Sequence, residues 1–238
     1  MLERLRTALV TPLVEHWLRT SRDSWRELPV PSGPPVARSE GPDPDRVLMF
    51  GSGIAMGYGV ATHDLSLAGE IARQVSELTG RGVQVDVVAE ENLTVADALG
   101  NLSVARLREL DIVIATPGSI KKLLLLPVPA WRERVEFLLD HFAVNAPASL
   151  NVLFVAVPEM STIIRMPGLL AWIADRSARK LNRALAASCA TRPYARFIPF
   201  HPAEPAGREG TGRTYRQWGA LIAPAVAEAL DEHQRASA

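Results

Sequence analysis

The chain is 238 residues long, and its 26 basic side chains balance 26 acidic ones, so its formal net charge is zero. Such a balance gives no strong field to attract a polyanion, which argues against nucleic acid or an anionic membrane surface as a partner. The hydrophobic share of 47% and the charged share of 22% are those of an ordinary globular protein, which excludes a disordered chain and predicts one main domain.

The start of the chain carries an amphipathic pattern. Apolar side chains at positions 2, 5, 9, 13 and 17 fall on roughly one face of a predicted helix over residues 1–28. A helix that packs on its own domain explains this pattern, and a helix that joins copies into a homo-oligomer is the alternative. Glu3 and Arg6 interrupt any signal peptide, and no apolar run reaches the roughly 18 residues that span a bilayer. We therefore expect a cytoplasmic protein without a transmembrane segment.

Prolines dominate the next segment, at positions 29, 31, 34, 35, 42 and 44. Because proline fixes φ and lacks a backbone donor, residues 29–45 are predicted to form an extended, poorly hydrogen-bonded surface linker. The remaining residues, 46–238, are then the globular domain.

Within that domain, five short apolar runs alternate with helical patterns. The runs have the character of buried strands and are Val47–Phe50, Val83–Val88, Ile112–Ala115, Val152–Val157 and Ala195–Phe200. The alternation predicts an α/β fold, a three-layer α/β/α sandwich with a five-stranded parallel sheet of the flavodoxin-like kind. In such folds ligands bind beyond the carboxyl ends of the strands, where the strand order reverses.

The first strand runs into a glycine-rich turn, and residues 50–60 read FGSGIAMGYGV. Residues 111–120 form a later strand and turn, and residues 214–219 read TYRQWG. In this order the three blocks resemble those of the GDSL/SGNH hydrolases, over about residues 46–230. The resemblance implies the same α/β/α architecture and an esterase-like or lipase-like ancestry. A nucleotide-binding sheet is the alternative, but the glycines at 51, 53 and 57 miss the G-x-G-x-x-G spacing.

At the positions that this resemblance implies for acyl hydrolysis, the sequence has residues that cannot perform the family's chemistry. Gly51 matches the first glycine of the Gly-Asp-Ser turn, which places Ser52 on the aspartate and Gly53 on the nucleophile. Glycine has no side chain with which to attack. From Gly118 the third block places Ile120 where the family has its oxyanion asparagine.

The second block and the expected base are also altered. Asn92 or Leu93 falls where the family has a glycine that donates its backbone N–H. The family's Asp-x-x-His pair would fall near Ala206 and Glu209, while His201 lies earlier in the same loop, followed by Pro202. His201 is therefore the weak candidate for a base in this loop.

Several residues are substitutes for the missing groups, each with a structural explanation beside the functional one. Ser52 and Ser119 are hydroxyls at strand ends that more often cap helices or turns than attack. His63 next to Asp64 resembles a base with its partner, but Asp64 is predicted to cap a helix from Leu65.

Two further titratable groups have an ordinary explanation as well. Glu159 follows a strand near the crevice, where a surface acid is the usual case. The lone Cys189 in an apolar helical stretch is predicted to be a buried small hydrophobe.

The sequence therefore predicts an SGNH-hydrolase-like protein that is catalytically impaired and binds a small ligand, such as an acyl ester, or a protein. The alternative is an unusual esterase or acyltransferase that acts through Ser52 and His201. Scattered histidines and a single cysteine predict neither a metal nor a cofactor.

Overall fold

The computed structural model describes residues 12–13, 16–17, 19–21, 28–91, 100, 102–117, 126–202 and 211–237. In this part of the chain six strands form one sheet in the order β1-β3-β2-β4-β5-β6. The strands are β1 Val36–Ser39, β2 Asp45–Gly51, β3 Val83–Ala89, β4 Ile112–Thr116, β5 Asn151–Val155 and β6 Ala195–Ile198. All neighbouring strands are parallel except β1, which pairs antiparallel with β3.

Helices cover both faces of the sheet. The α-helices are α1 Leu67–Thr79, α2 Val104–Leu107, α3 Val128–Asn145, α4 Gly168–Cys189 and α5 Thr211–Ser237. Short 3-10 helices follow β2 at Gly53–Met56 and His63–Leu65, and follow β5 at Met160–Thr162. Helices α1 and α5 pack together on one face, and α3 and α4 pack together on the other.

Strand β2 explains why the sheet is sandwiched in this way. Successive side chains of a strand point to opposite faces, and in β2 both sets are apolar and buried. Val47 and Met49 join the core beneath α1 and α5, while Leu48 and Phe50 join the core beneath α3 and α4. The predicted three-layer α/β/α architecture is thereby confirmed.

Strand β1 was not predicted. It makes the sheet six-stranded instead of five-stranded, and it gives regular hydrogen bonds to a segment that was predicted to be a poorly hydrogen-bonded linker. Val36–Ser39 lies inside the proline-rich segment and pairs with Val83–Asp86 of β3. Proline loses its backbone donor but keeps its carbonyl acceptor. Pro35 accepts a hydrogen bond from the Val87 N–H, and Pro42 accepts one from the Gly82 N–H, each at 2.8 Å. The segment therefore belongs to the sheet.

The beginning of the same segment lies against the loop that follows β2. The Gly59 N–H donates to the Pro29 carbonyl at 2.7 Å, and the Ser32 N–H donates to the Ala61 carbonyl at 2.9 Å. At Gly57 a Cβ would lie 2.6 Å from the ring of Pro31. The proline-rich segment thus supports one wall of the loop after β2.

Helix α1 begins two residues later than predicted, and its cap is Ser66 rather than Asp64. The Ser66 hydroxyl accepts a hydrogen bond from the Ala68 N–H at 3.2 Å. Asp64 instead accepts from the Arg38 N–H at 3.3 Å, on the edge strand β1. A carboxylate that occupies an edge N–H protects the sheet from pairing with another chain.

The N-terminal segment contacts the domain through Trp17. This side chain is buried in the core on the α3 and α4 side of the sheet. Such packing is expected of a helix that lies on its own domain. The boundary between an N-terminal helix and the domain remains a prediction, while residues 36–39 of the predicted linker belong to the sheet.

Among the described residues, no helix combines the length and apolar character needed to cross a bilayer. A cytoplasmic location remains a prediction.

The burial of Cys189 gives a test of the core. The side chain is 2% exposed, and burial raises the pKa of its thiol to about 11, with Glu136 adding to the shift. We expect the folded chain to resist iodoacetamide at about pH 8, because the reactive thiolate is scarce and shielded. Mass spectrometry after alkylation, with and without guanidinium, measures this. Fast alkylation of the folded chain would contradict a buried Cys189.

The same shift gives a pH dependence. The folded thiol keeps its proton above the pKa of the unfolded thiol, so the free energy of unfolding is expected to fall as pH rises from about 9 to about 11. Denaturation curves of the Cys189→Ala variant, which lacks this group, are the control.

Candidate functional site

The candidate site lies where the chain changes direction across the sheet. From β2 the chain passes through α1 to β3 on one side, and then crosses to β4 on the other side of β2. The reversal therefore falls between β2 and β4, beyond Gly51 and Thr116, which are paired in register. Ligands of open α/β sheets bind at this point.

Thr116 joins the ends of these two strands. Its hydroxyl lies 3.3 Å from the carbonyl of Phe50 and 3.3 Å from that of Ser52, so its single proton is shared between them. In return the Ser52 N–H donates to the Thr116 carbonyl at 3.1 Å. The turn after β2 is thus fixed by a buried side chain of its neighbour.

Only glycine fits at residue 51. Its φ is +140°, and an added Cβ would lie 2.2 Å from the Thr116 carbonyl oxygen and 2.5 Å from its hydroxyl oxygen. The Gly51 carbonyl also accepts a hydrogen bond from the Glu90 N–H at 3.1 Å, just after β3. The ends of β2, β3 and β4 are therefore held together around this residue.

Ser52 and Gly53 occupy the turn itself. Ser52 is 7% exposed, and its side chain makes no capping hydrogen bond to the 3-10 helix Gly53–Met56. The capping explanation for Ser52 is therefore not borne out. Gly53 is the first residue of that helix and has a φ of +65°, a left-handed conformation that disfavours side chains. Because the Ser52 N–H is bonded to Thr116, it is not available to an oxyanion.

His201 lies far from this turn along the sheet. It is exposed, three residues beyond Ile198 at the end of β6. Strand β6 is three positions from β2, which corresponds to about 14 Å at the usual spacing of strands. Within the described residues no hydrogen bond joins Ser52 to His201, so this pairing remains a prediction. Asn92, Gly118, Ser119, Ile120 and Glu209 lie outside the described residues.

The pair His63 and Asp64 is turned away from the switch point. The 3-10 helix that holds them packs against β1 and α1, and the Asp64 carboxylate is bonded to Arg38. His63 Nδ1 is buried and has no hydrogen-bond partner among the described residues, and burial lowers the pKa of the imidazole, partly offset by Asp64. Burial thus favours the neutral imidazole of His63.

Helix α4 positions the loop after β5. The Asn182 side chain accepts a hydrogen bond from the Val157 N–H and donates one to the Val157 carbonyl, both at 2.8 Å. One amide side chain therefore satisfies both backbone groups of a residue beyond the strand.

Two more side chains of α4 hold the same loop. Asp175 is buried and accepts a hydrogen bond from the Ser161 N–H at 3.1 Å. Arg179 forms an ion pair with Glu159 at 2.7 Å. Glu159 is thus a paired, partly exposed acid at the rim of the site.

The block TYRQWG at the start of α5 has a structural role. The Tyr215 hydroxyl donates to the Tyr58 carbonyl at 2.9 Å, in the loop after β2. The Trp218 ring packs edge-on against Tyr215 and Phe200, with centroids 5.4 and 5.8 Å apart. These contacts anchor the loop after β2 to α5.

Sequence reasoning missed Thr116 and Asn182, the two side chains that fix the strand ends. Asn182 had a usable signal, since Asp175, Arg179 and Asn182 recur at helical spacing within an otherwise apolar helix face. In the described part of the chain, no group of three or more His, Cys, Asp or Glu side chains is arranged to hold a metal.

Searches against known proteins give matches in structure alone. No protein-family model matches the chain, and no curated protein matches it. A structure described as a GDSL-like lipase from Bacteroides ovatus has 13% identity and a TM-score of 0.52, and the alignment covers 81% of this chain and 56% of that one. This chain thus spans about half the length of that relative.

Two other solved structures are matched over nearly their full length. An extracellular lipase from Streptomyces rimosus has 13% identity and a TM-score of 0.51, with 77% of this chain and 99% of that chain covered. A catalytic mutant of an acetylxylan esterase from Geobacillus stearothermophilus has 9% identity and a TM-score of 0.50, with 80% and 95% covered. The resemblance seen in the sequence is thereby confirmed at the level of the fold.

The packing around residue 51 predicts a steep cost for any side chain there. We expect Gly51→Ala to lower the free energy of unfolding by about 3 kcal/mol or more, because the Cβ overlaps the backbone of Thr116. Gly80→Ala is the matched control, since Gly80 also has a positive φ of +72° but has open space around it. Its cost should be about 1 kcal/mol. Equal losses in urea denaturation would contradict the steric argument.

The contribution of the Thr116 hydroxyl to stability can be measured separately from that of the side chain's volume. Thr116→Val is nearly isosteric but removes the donor to the Phe50 and Ser52 carbonyls, so we expect a loss of about 1–3 kcal/mol. Thr116→Ser keeps the hydroxyl and should lose less, about 1 kcal/mol for one buried methyl. Denaturant unfolding of both variants measures the difference. A larger loss in the serine variant would show that the methyl group matters more than the hydrogen bonds.

Proposed function

We propose that this chain, which has the fold of the GDSL/SGNH hydrolases, binds a small ligand with an acyl ester group and has lost most or all hydrolytic power. The proposed binding site is the switch point beyond Gly51 and Thr116. The observation that carries the proposal is Gly53, which begins the helix after β2 without a side chain.

The lack of an attacking group at residue 53 is the first support. Acyl transfer in this fold needs a nucleophile at the start of that helix, activated by a base within hydrogen-bond reach. The backbone of Gly53 has a φ of +65°, so a serine there would be strained by about 1 kcal/mol. Residue 53 therefore has no attacking side chain, and its backbone conformation favours glycine over serine.

The rigidity of the turn is the second support. Thr116 and Glu90 hold the strand ends through hydrogen bonds within the protein. A site that is fixed before the ligand arrives loses little conformational entropy on binding. The fixed strand ends therefore favour ligand binding. They supply no acid or base that could transfer a proton.

One observation favours the alternative of an unusual esterase or acyltransferase. Ser52 is buried at the entry to a helix, and its hydroxyl does not cap that helix. Since its hydroxyl does not cap that helix, Ser52 is the nucleophile that this alternative would use. That chemistry would require the loop after β6 to bring His201 to Ser52.

Two measurements on the same preparation distinguish these functions. We expect saturation-transfer NMR to detect binding of p-nitrophenyl butyrate, while nitrophenol release stays at the level of the Ser52→Ala variant. A serine-reactive phosphonate should label neither protein, because no activated serine is present.

Two outcomes would contradict the proposal. Phosphonate labelling that Ser52→Ala abolishes would establish the esterase alternative. If neither binding nor labelling were observed, the switch point would not be an acyl-ester site at all.

A further inference from the structure

Helix α4 carries a solvent-facing row of side chains that the proposed ligand site does not use. The row repeats at intervals of three and four residues, so its members lie on one face of the helix. Its members, called here the α4 stripe, are Leu169, Trp172, Arg176, Lys180 and Arg183; Lys180 is half-buried and the other four are exposed.

The beginning of the α4 stripe is apolar. Leu169 is 66% exposed and Trp172 is 56% exposed, on the first two turns of the helix. Large apolar side chains that protrude side by side from a folded domain indicate an interaction surface. The Arg176 guanidinium lies 5.7 Å from the centre of the Trp172 ring, within the range of a cation–π interaction.

The rest of α4 is basic. The helix has four basic side chains and one acidic side chain, Asp175, which is buried and bonded to the loop after β5. Glu159 neutralises Arg179. No described acidic residue forms an ion pair with Arg176, Lys180 or Arg183, so a local positive charge faces the solvent.

We propose that the α4 stripe docks the protein on an anionic bilayer surface. Trp and Leu insert into the region between headgroups and acyl chains, where the indole ring is most stable, and arginine and lysine reach the lipid phosphates. Lipids rearrange around protruding side chains, so Leu169 and Trp172 need no preformed pocket. An acidic protein surface would match the charges but would also need a cavity for both apolar side chains.

The zero net charge of the chain argues against long-range attraction to an anionic surface, but not against docking through one local basic patch. At physiological ionic strength, charges are screened over about 8 Å, so a bilayer responds to the stripe that touches it and not to the whole protein. The docking surface and the ligand site are separate, and docking does not depend on whether the site hydrolyses esters.

Co-sedimentation of the full chain with vesicles tests the docking. We expect binding to vesicles of equal parts phosphatidylglycerol and phosphatidylcholine at low salt, and about tenfold weaker binding to phosphatidylcholine alone. Trp172→Ser should weaken binding by removing the inserted ring. The double variant Lys180→Glu, Arg183→Glu should weaken it about tenfold or more and reduce its salt dependence.

Matched control variants remove similar groups elsewhere. Val144→Ser removes an exposed apolar side chain of α3, and Arg235→Glu reverses an exposed charge on α5. Both should leave vesicle binding unchanged, and circular dichroism should show every variant folded.

Three outcomes would overturn the proposal. The first is no binding to the phosphatidylglycerol vesicles at low salt. The second is vesicle binding that Trp172→Ser and the double charge reversal leave intact. The third is retention on immobilised polyglutamate without vesicle binding, which would identify an acidic protein surface as the partner instead.

Discussion

The Thr116 hydroxyl, placed between the carbonyls of Phe50 and Ser52, is the interaction on which the candidate site depends. It joins the ends of β2 and β4 where the strand order reverses, and it requires glycine at residue 51 because no Cβ fits beside it. The Glu90 N–H, just after β3, donates a hydrogen bond to the Gly51 carbonyl and so joins the end of β3 to the ends of β2 and β4. Asn182 performs a similar task for β5 by bonding both backbone groups of Val157. The carboxyl ends of these strands are therefore fixed by hydrogen bonds within the protein before any ligand arrives.

The sequence predicted the parts of the fold that depend on local pattern. Strand β2 is apolar on both faces, and that composition identifies a buried parallel strand without further information. Strand β1 has no such signal, because Val36–Ser39 contains one fully buried apolar residue, Ala37, and depends on pairing with residues about 50 positions away. The capping prediction for Asp64 was wrong because Ser66 lies closer to the helix start, and local propensity does not decide between them.

The site was predictable in position but not in detail. The sequence predicted a ligand site beyond the carboxyl ends of the strands, but the strand order was needed to place it at the glycine run after β2. The bond from Thr116 to Ser52 spans 64 residues, and that from Asn182 to Val157 spans 25. The contact of Thr116 leaves no periodic trace in the sequence, and for Asn182 the available signal is the helical spacing of Asp175, Arg179 and Asn182. Helix α4 is a similar case, since its inner polar side chains hold the site and its outer stripe faces the solvent.

The proposed loss of hydrolysis depends on the turn at Ser52 and Gly53, where the backbone is hydrogen-bonded to Thr116 and residue 53 has no attacking side chain. A crystal structure of the protein soaked with p-nitrophenyl butyrate tests it most directly. The account predicts density for the intact ester beside Gly51 and Thr116, with no covalent bond to the protein. Continuous density from a butyryl group to the Ser52 oxygen, with an imidazole within hydrogen-bond reach of that oxygen, would contradict it.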